Sequence, residues 1–413
     1  MFTVHQHWDP LKVCAVGRSY PPEFYSNIKN PKVRNVMERI AIETEEDYQK
    51  LISKLEEFGV TVIRTDISDN FEDHTNEDTG IPYPPPMCPR DHTAMVGNTF
   101  YMPGEKYAKF DIISLLEDFY GIKIPTDVIF SRTEFLSILG SSEILNQIIA
   151  AETQTIGSNI KYPNNKKQYA FSSIKKYLLE NNVPIVYDEY VNTACMTRVG
   201  KDLYFSVINE INKSRPERFI SKVKRLFPNY RSHLLNIAGH SDGTFCPVKP
   251  GLIISLRGIE NYEDSFPGWE VVSVQGESWD KVQPFLDLKE KNRGKWWIPG
   301  EEYNEDLIDY IETWLKDWVT YVEETVFDVN MLVIDEHNVI CNGYNKDVFD
   351  AFERHNITPH IINFRHRYFW DGGLHCITSD IAREGEQKDY FPNRKGSSAL
   401  LHPTPDKIVI RSW

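Results

Sequence analysis

Residues 330–341 read NMLVIDEHNVIC, an apolar run, the polar turn Glu336-His337-Asn338 and a second apolar run. β-Branched residues on both sides of a turn-forming triplet predict a two-stranded hairpin, because branched side chains fit a pleated surface and polar residues tolerate the reversal. A helical pattern follows at Val348 to His355, so the unit reads as a hairpin, a helix and a further strand. The same plan recurs at TAMVGNTFYM (Thr93 to Met102), MTRVGKDLYFSV (Met196 to Val207) and GTFCPVKPGLIISL (Gly243 to Leu256), and Gly97-Asn98 and Gly200-Lys201-Asp202 supply the first two turns. A fifth unit is expected at GLHCITSD, Gly373 to Asp380. Divergent copies at irregular intervals predict modules about a common centre. No Gly/Ser linker separates halves, so 1–413 reads as one α/β domain.

Toward the amino terminus, KVCAVG (Lys12 to Gly17) predicts a strand. Thr44 ahead of Glu45, Glu46 and Asp47 predicts a capped helix start, with Tyr48, Leu51, Ile52, Leu55 and Phe58 as its apolar stripe and Gly59 as its stop. Val60 to Ile63 is the next expected strand. The proline-rich loop 66–89 is too long for a connector and is expected to border a site. An insertion at 289–328 predicts a helix capped by Asn304, with Leu307, Ile308, Ile311, Trp314, Leu315, Trp318 and Val319 on one packing stripe.

Composition narrows the function. The 413 residues are 41% hydrophobic and 13% aromatic, enough to bury a sizeable core, which excludes global disorder. Lys and Arg total 46 against 60 Asp and Glu, a net charge of −14, so a nucleic-acid partner is not expected. No apolar run reaches the roughly 20 residues of a membrane helix. The opening MFTVHQHWDPLK lacks the marks of a signal or transit peptide, and a cytoplasmic location is expected. Six cysteines without a CxxC pair or regular spacing suit a reducing compartment and suggest neither a disulfide framework nor a zinc site.

Four segments carry candidate chemistry. In NIAGHSDGTF, Gly239 to Gly243 formally matches a GxSxG nucleophile elbow, but an elbow requires a helix next, whereas Pro247 and Pro250 lie in an expected hairpin. Read as extended chain, the segment puts His240 and Asp242 on one face and Ser241 on the other. In FWDGGLHCITSD, two glycines allow close approach to a ligand and Cys376 is the nucleophile candidate. His375, as a strand neighbour, is expected on the opposite face, which leaves His240 as the base of a Cys/His pair. Asp91 enters through PRDH where the long loop meets a hairpin, and Asn192, ahead of RVGKD, is placed to orient a histidine. No motif points to a metal, nucleotide or other cofactor.

Together these segments resemble the arginine:glycine amidinotransferase family of the guanidine-modifying, or pentein, superfamily. The resemblance runs through HWDPLKVCAVGR, EEFGVTVIRTD, PRDHTAMVGN, RVGKD, HSDGTF, NMLVIDEHNV and GGLHCITSDIAREG, in that order. It implies a five-bladed pseudo-symmetric α/β propeller around a polar site, no cofactor, and transfer of an amidino group from arginine to an amine, with ornithine released. It also implies roles: Cys376 as nucleophile, His240 as acid/base, and Asp91 and Asp242 as carboxylates holding the guanidinium. A homodimer stays open as the assembly.

Three positions depart from the family pattern. Asn192 stands where the family has an aspartate orienting the histidine. Glu323 and Glu324 fall where it has a serine pair near the amino-acid end of the substrate, and two acids there suit an ammonium better than a carboxylate. Arg257 lies two positions from the family's carboxylate-binding arginine. The resemblance thus implies arginine as donor and leaves glycine or a diamine as acceptor. A guanidine hydrolase or deiminase of the same superfamily, and a non-catalytic binder of guanidino compounds, are the alternatives.

Overall fold

The amino-terminal strand Leu11–Val16 pairs antiparallel with Thr378–Arg383, more than 360 residues away, and parallel with Thr61–Arg64. This sheet closes the protein on itself. In a computed structural model, the described residues are 2–75, 80–102, 170–187, 193–207, 216–256, 259–274, 296–315, 318, 327–401 and 404–405. Four more sheets in them repeat the plan of two antiparallel strands and a parallel third. They are built from Ala94–Val96, Thr99–Met102 and Ile185–Tyr187; from Met196–Val199, Asp202–Val207 and Arg231–Ala238, with Ser398–Leu401 added as a fourth strand; from Phe245–Lys249, Leu252–Leu256 and Glu270–Val274; and from Leu332–Asp335, Asn338–Cys341 and Thr358–Ile361. The four expected hairpins all form.

A parallel third strand requires a crossover, which the helices supply. Helix Pro31–Glu57 carries the chain from the first strand to Thr61, and Lys346–Arg354, capped by Asn345, carries it to Thr358. Turn chemistry is strict at Gly200, whose φ is +64° and whose added Cβ would lie 2.0 Å from the Lys388 carbonyl oxygen. Only glycine fits there.

Three local expectations need correction. The first helix begins at Pro31 with Asn30 as its cap, not at Thr44. Thr44 is buried within it and accepts a hydrogen bond from Trp370 Nε1 at 2.9 Å. The acids after Thr44 serve tertiary pairs, Glu45 with Arg64 and Asp47 with Arg365. An alternative cap-like pattern inside a continuous helix therefore encoded side-chain contacts. The segment Gly373 to Asp380 is not a hairpin but a turn leading into a strand whose antiparallel partner is Leu11–Val16. In the insertion, Asn304 caps helix Glu305–Trp314 as expected, but the helix stops at Trp314, and Trp314 is exposed. Trp318 is buried beyond the helix end and donates to the Pro82 carbonyl, tying the insertion to the loop 66–89. Val319 lies outside the described residues.

A buried ionic cluster braces three of the segments. Asp380 accepts from Arg90 at 3.1 Å, Arg198 at 2.6 Å and Arg383 at 2.7 Å. Burial alone would raise this carboxyl, but the three guanidinium groups hold it well below the usual range. Arg198 and Arg383 extend the brace to the backbone oxygens of Met95, Asp9 and Val333. Among the described residues no helix is long and apolar enough to cross a membrane.

Candidate active site

Cys376 lies in the turn at 374–377, just before Thr378–Arg383, with its side chain buried. Its Sγ donates to Asp242 Oδ2 at 3.4 Å and accepts from Asn330 Nδ2 at 2.9 Å. Asp242 Oδ2 is also 2.7 Å from His375 Nδ1. Asp242 occupies a single 3₁₀ turn, Ser241–Gly243, between Arg231–Ala238 and Phe245–Lys249, and Asp91 ends a similar turn, Pro89–Asp91. Each of these residues sits at a junction that launches a strand of a different sheet. Short turns there aim side chains that straight strands would hold alternately up and down.

Two buried carboxyl groups dominate the electrostatics of the site. Burial, then Arg90, pushes His375 down to about 4, so its imidazole is neutral and donates Nδ1–H to Asp242. Burial works to raise Asp242, but the His375 hydrogen bond and the nearby charges of His240 and Arg90 hold it below the usual carboxylate range. Burial lifts Asp91 to about 6; His240 and Arg90 draw it down while the like charge of Asp242 draws it up. Asp91 Oδ1 and Asp242 Oδ1 are both buried without a hydrogen-bond partner. Such acceptors are costly to leave unmet, and planar N–H donors of a cation are the kind of group that satisfies carboxylates.

Four of the other thiols suit nucleophilic chemistry poorly. Burial raises Cys14 and Cys246 to about 12 and Cys195 to about 11, and drives Cys341 up as well. Among the described residues no cluster of His, Cys, Asp and Glu could hold a metal ion.

Of the residues singled out in the sequence, Cys376, Asp242, Asp91 and His240 come together: His240 is felt as a nearby charge by both aspartates. Asn192, Arg257, Glu323 and Glu324 lie outside the described residues. Two local inferences fail. The segment at 241–243 is a 3₁₀ turn and not extended chain, and Ser241 is buried with its hydroxyl on the Ala194 carbonyl, a structural role. His375 does not point away from Cys376's partners, because the turn lets both neighbours reach the same Asp242 oxygen.

No family profile matches the chain. A putative inosamine-phosphate amidinotransferase 2 of Streptomyces griseus is 23% identical over 404 residues, which is 94% of this chain and 98% of that protein. A mitochondrial glycine amidinotransferase of Xenopus tropicalis is 25% identical over 172 residues, 41% of this chain and 33% of that one. Among solved structures, an amidinotransferase of saxitoxin biosynthesis from Microseira wollei superposes with a TM-score of 0.55 at 14% identity, covering 94% of this chain and 99% of that one. An inosamine-phosphate amidinotransferase of Streptomyces griseus superposes at 0.51 with 20% identity, covering 94% and 99%. Along nearly its whole length the chain is similar to amidinotransferases. Its fold is the α/β pentein propeller.

The site holds three residues that sequence reasoning did not select. Arg90 donates Nε–H to the His375 carbonyl at 2.9 Å and so links the Asp91 turn to the Cys376 turn. His7 is buried with its ring centroid 5.5 Å from that of His375. Asn330 is the third, and it touches the sulfur itself. Arg90 is adjacent to Asp91 in PRDH, and Asn330 opens NMLVIDEHNV, so proximity to a motif was the only signal available.

Proposed function

We propose that this protein is an amidinotransferase that moves the amidino group of arginine to an amine through an amidino-Cys376 intermediate. The observation that carries this reading is the pair of buried, unmet carboxylate oxygens of Asp91 and Asp242 beside the Cys376 thiol. Guanidinium is a resonance-stabilised cation and a poor electrophile, so it has to be held flat with its carbon over the sulfur. Paired carboxylates do that, and the arriving cation also favours the thiolate.

The Cys376 thiolate attacks the guanidinium carbon and a C–S bond forms. His240 gives its proton to the nitrogen of the breaking C–N bond, and ornithine leaves as the amine. The acceptor amine then attacks the amidino carbon, His240 takes up the proton it sheds, and the C–S electrons return to sulfur. Asn192 is proposed to orient His240 through a neutral hydrogen bond, and Arg257, Glu323 and Glu324 to face the rest of the substrates.

An acceptor other than glycine is the favoured reading. The relatives that match along their whole length are named for inosamine phosphate, the glycine relatives match over a minor part, and the acidic pair Glu323-Glu324 suits an amine without a neighbouring anion. The test is incubation with arginine labelled at the guanidino carbon and a panel of amines, followed by product analysis. A labelled guanidino product together with ornithine supports transfer. Labelled urea, or citrulline in place of ornithine, would assign the protein to hydrolysis instead.

A further inference from the structure

We propose that the side-chain amide of Asn330 is a catalytic group that holds the Cys376 sulfur in its anionic form and fixes its direction of attack. The inference rests on the reading of Cys376 as nucleophile. Asn330 Oδ1 accepts the backbone N–H of His375 at 2.9 Å and that of Cys376 at 3.2 Å. Backbone N–H groups only donate, so these two contacts settle which end of the amide is oxygen. Nδ2 is thereby turned to the other side, where it lies 2.9 Å from Cys376 Sγ and 3.2 Å from the Asp242 carbonyl oxygen.

The amide is held before any substrate arrives. Asn330 N–H is bonded to the Phe327 carbonyl at 3.1 Å, and its own carbonyl accepts from Asn342 Nδ2 at 2.8 Å. On the facing side, a Cβ added at Gly373 would lie 2.6 Å from Asn330 Oδ1. Gly373 thus lets the amide sit directly against the turn that carries Cys376.

An N–H donor bonds a thiolate more strongly than a thiol, and more strongly than the thioether-like sulfur of an amidino adduct. Asn330 therefore opposes the effect of the Asp242 carboxylate, which favours a protonated sulfur through its 3.4 Å contact. It also favours sulfur as the leaving group when the acceptor amine displaces it. A merely structural amide would satisfy the two backbone donors and leave the sulfur's chemistry unchanged.

The experiment compares wild type with Asn330→Asp and Asn330→Ser. Both keep an oxygen near the backbone donors, and neither keeps an N–H toward sulfur. The rate of Cys376 alkylation by iodoacetamide is followed against pH by peptide mass spectrometry. The midpoint of that profile is expected to rise by about one pH unit and alkylation at pH 7 to slow roughly tenfold in each variant. Turnover should fall in Asn330→Ser while arginine affinity by calorimetry stays within about threefold. A midpoint unchanged in a folded variant overturns the proposal. On the wild-type chain labelled with 15N-asparagine, one side-chain amide resonance should follow the alkylation midpoint, and its absence would equally overturn it. Failure of arginine to leave an adduct on Cys376 would instead refute the underlying reading, whereas an adduct with an unaltered alkylation profile refutes Asn330 alone.

Discussion

His375 Nδ1 and Asp242 Oδ2 stand 2.7 Å apart, and the same oxygen receives the Cys376 thiol at 3.4 Å. One oxygen of Asp242 is therefore committed to the protein and the other, Oδ1, is left for a ligand. Because His375 is neutral, it contributes a donor and not a charge, so the negative charge of Asp242 is not cancelled by its partner.

That division gives a signed prediction for His375→Phe. Burial already works against Asp242 ionisation, and removing the Nδ1–H donor removes an interaction that holds the carboxylate ionised. The Asp242 titration should move up, so the acid limb of kcat/KM for arginine should shift to higher pH. An acid limb at the wild-type position would show that His375 does not set the state of Asp242.

The nucleophile assignment predicts an amidino adduct on Cys376 by intact mass and peptide mapping after arginine addition without acceptor. Cys376→Ala should lose turnover by a factor on the order of 10³ or more and carry no adduct. An adduct on Cys195 or Cys246, where burial holds the thiols protonated, would contradict the geometry.

Asp91 should show opposite effects on stability and binding. Its carboxyl is lifted to about 6 by burial first and by Asp242, so folding penalises its charge. For a raised carboxyl the unfolded chain gives up its proton first. Stability thus declines as pH climbs from the unfolded value toward 6, and the penalty is fully present at pH 7. Asp91→Asn removes the charge and should stabilise the free protein at pH 7 by about 1–2 kcal/mol in urea unfolding. Arginine should then protect the variant far less than wild type, because half of the cation site is gone. In wild type, arginine affinity should weaken as pH falls below about 6. A destabilised Asp91→Asn that still binds arginine normally would reverse the assignment.

Asp380 is expected to matter for the fold more than for substrate recognition. Asp380→Asn leaves Arg90, Arg198 and Arg383 buried without their shared anion, a loss of about 3–5 kcal/mol by the general cost of breaking a buried ion pair. Chemical denaturation measures it. A change below about 1 kcal/mol would mean that the three guanidinium groups find other acceptors.

The proposed acceptor preference rests on the acidic pair Glu323-Glu324. A short diamine, with one amine to react and one to be held, should give a higher kcat/KM than glycine. The double variant Glu323→Ser/Glu324→Ser should narrow the gap. Glycine ahead in wild type would refute the acidic-pocket reading, and an unaltered preference in the variant would remove these residues from the substrate site.

The four hairpins at 93–102, 196–207, 243–256 and 330–341 were legible in the sequence because their strands and turns are neighbours along the chain. Cys376, Asp91, Asp242 and His240 were singled out because each lies in a short motif whose residue types suit guanidine chemistry, and the fold brings the four together. The fifth sheet was not legible: its antiparallel strands Leu11–Val16 and Thr378–Arg383 come from opposite ends of the chain, and no local pattern records such a pairing. The true start of the first helix at Pro31 was hidden by acids whose partners, Arg64 and Arg365, are distant in sequence. Alternation along a strand failed at Cys376 because a turn replaces the strand there, which brings His375 and Cys376 onto one oxygen. Residue types along the chain thus determined which chemistry is possible. Tertiary structure alone decided that Asn330 would reach the sulfur, because that contact spans 46 residues and depends on the close approach of two separate turns.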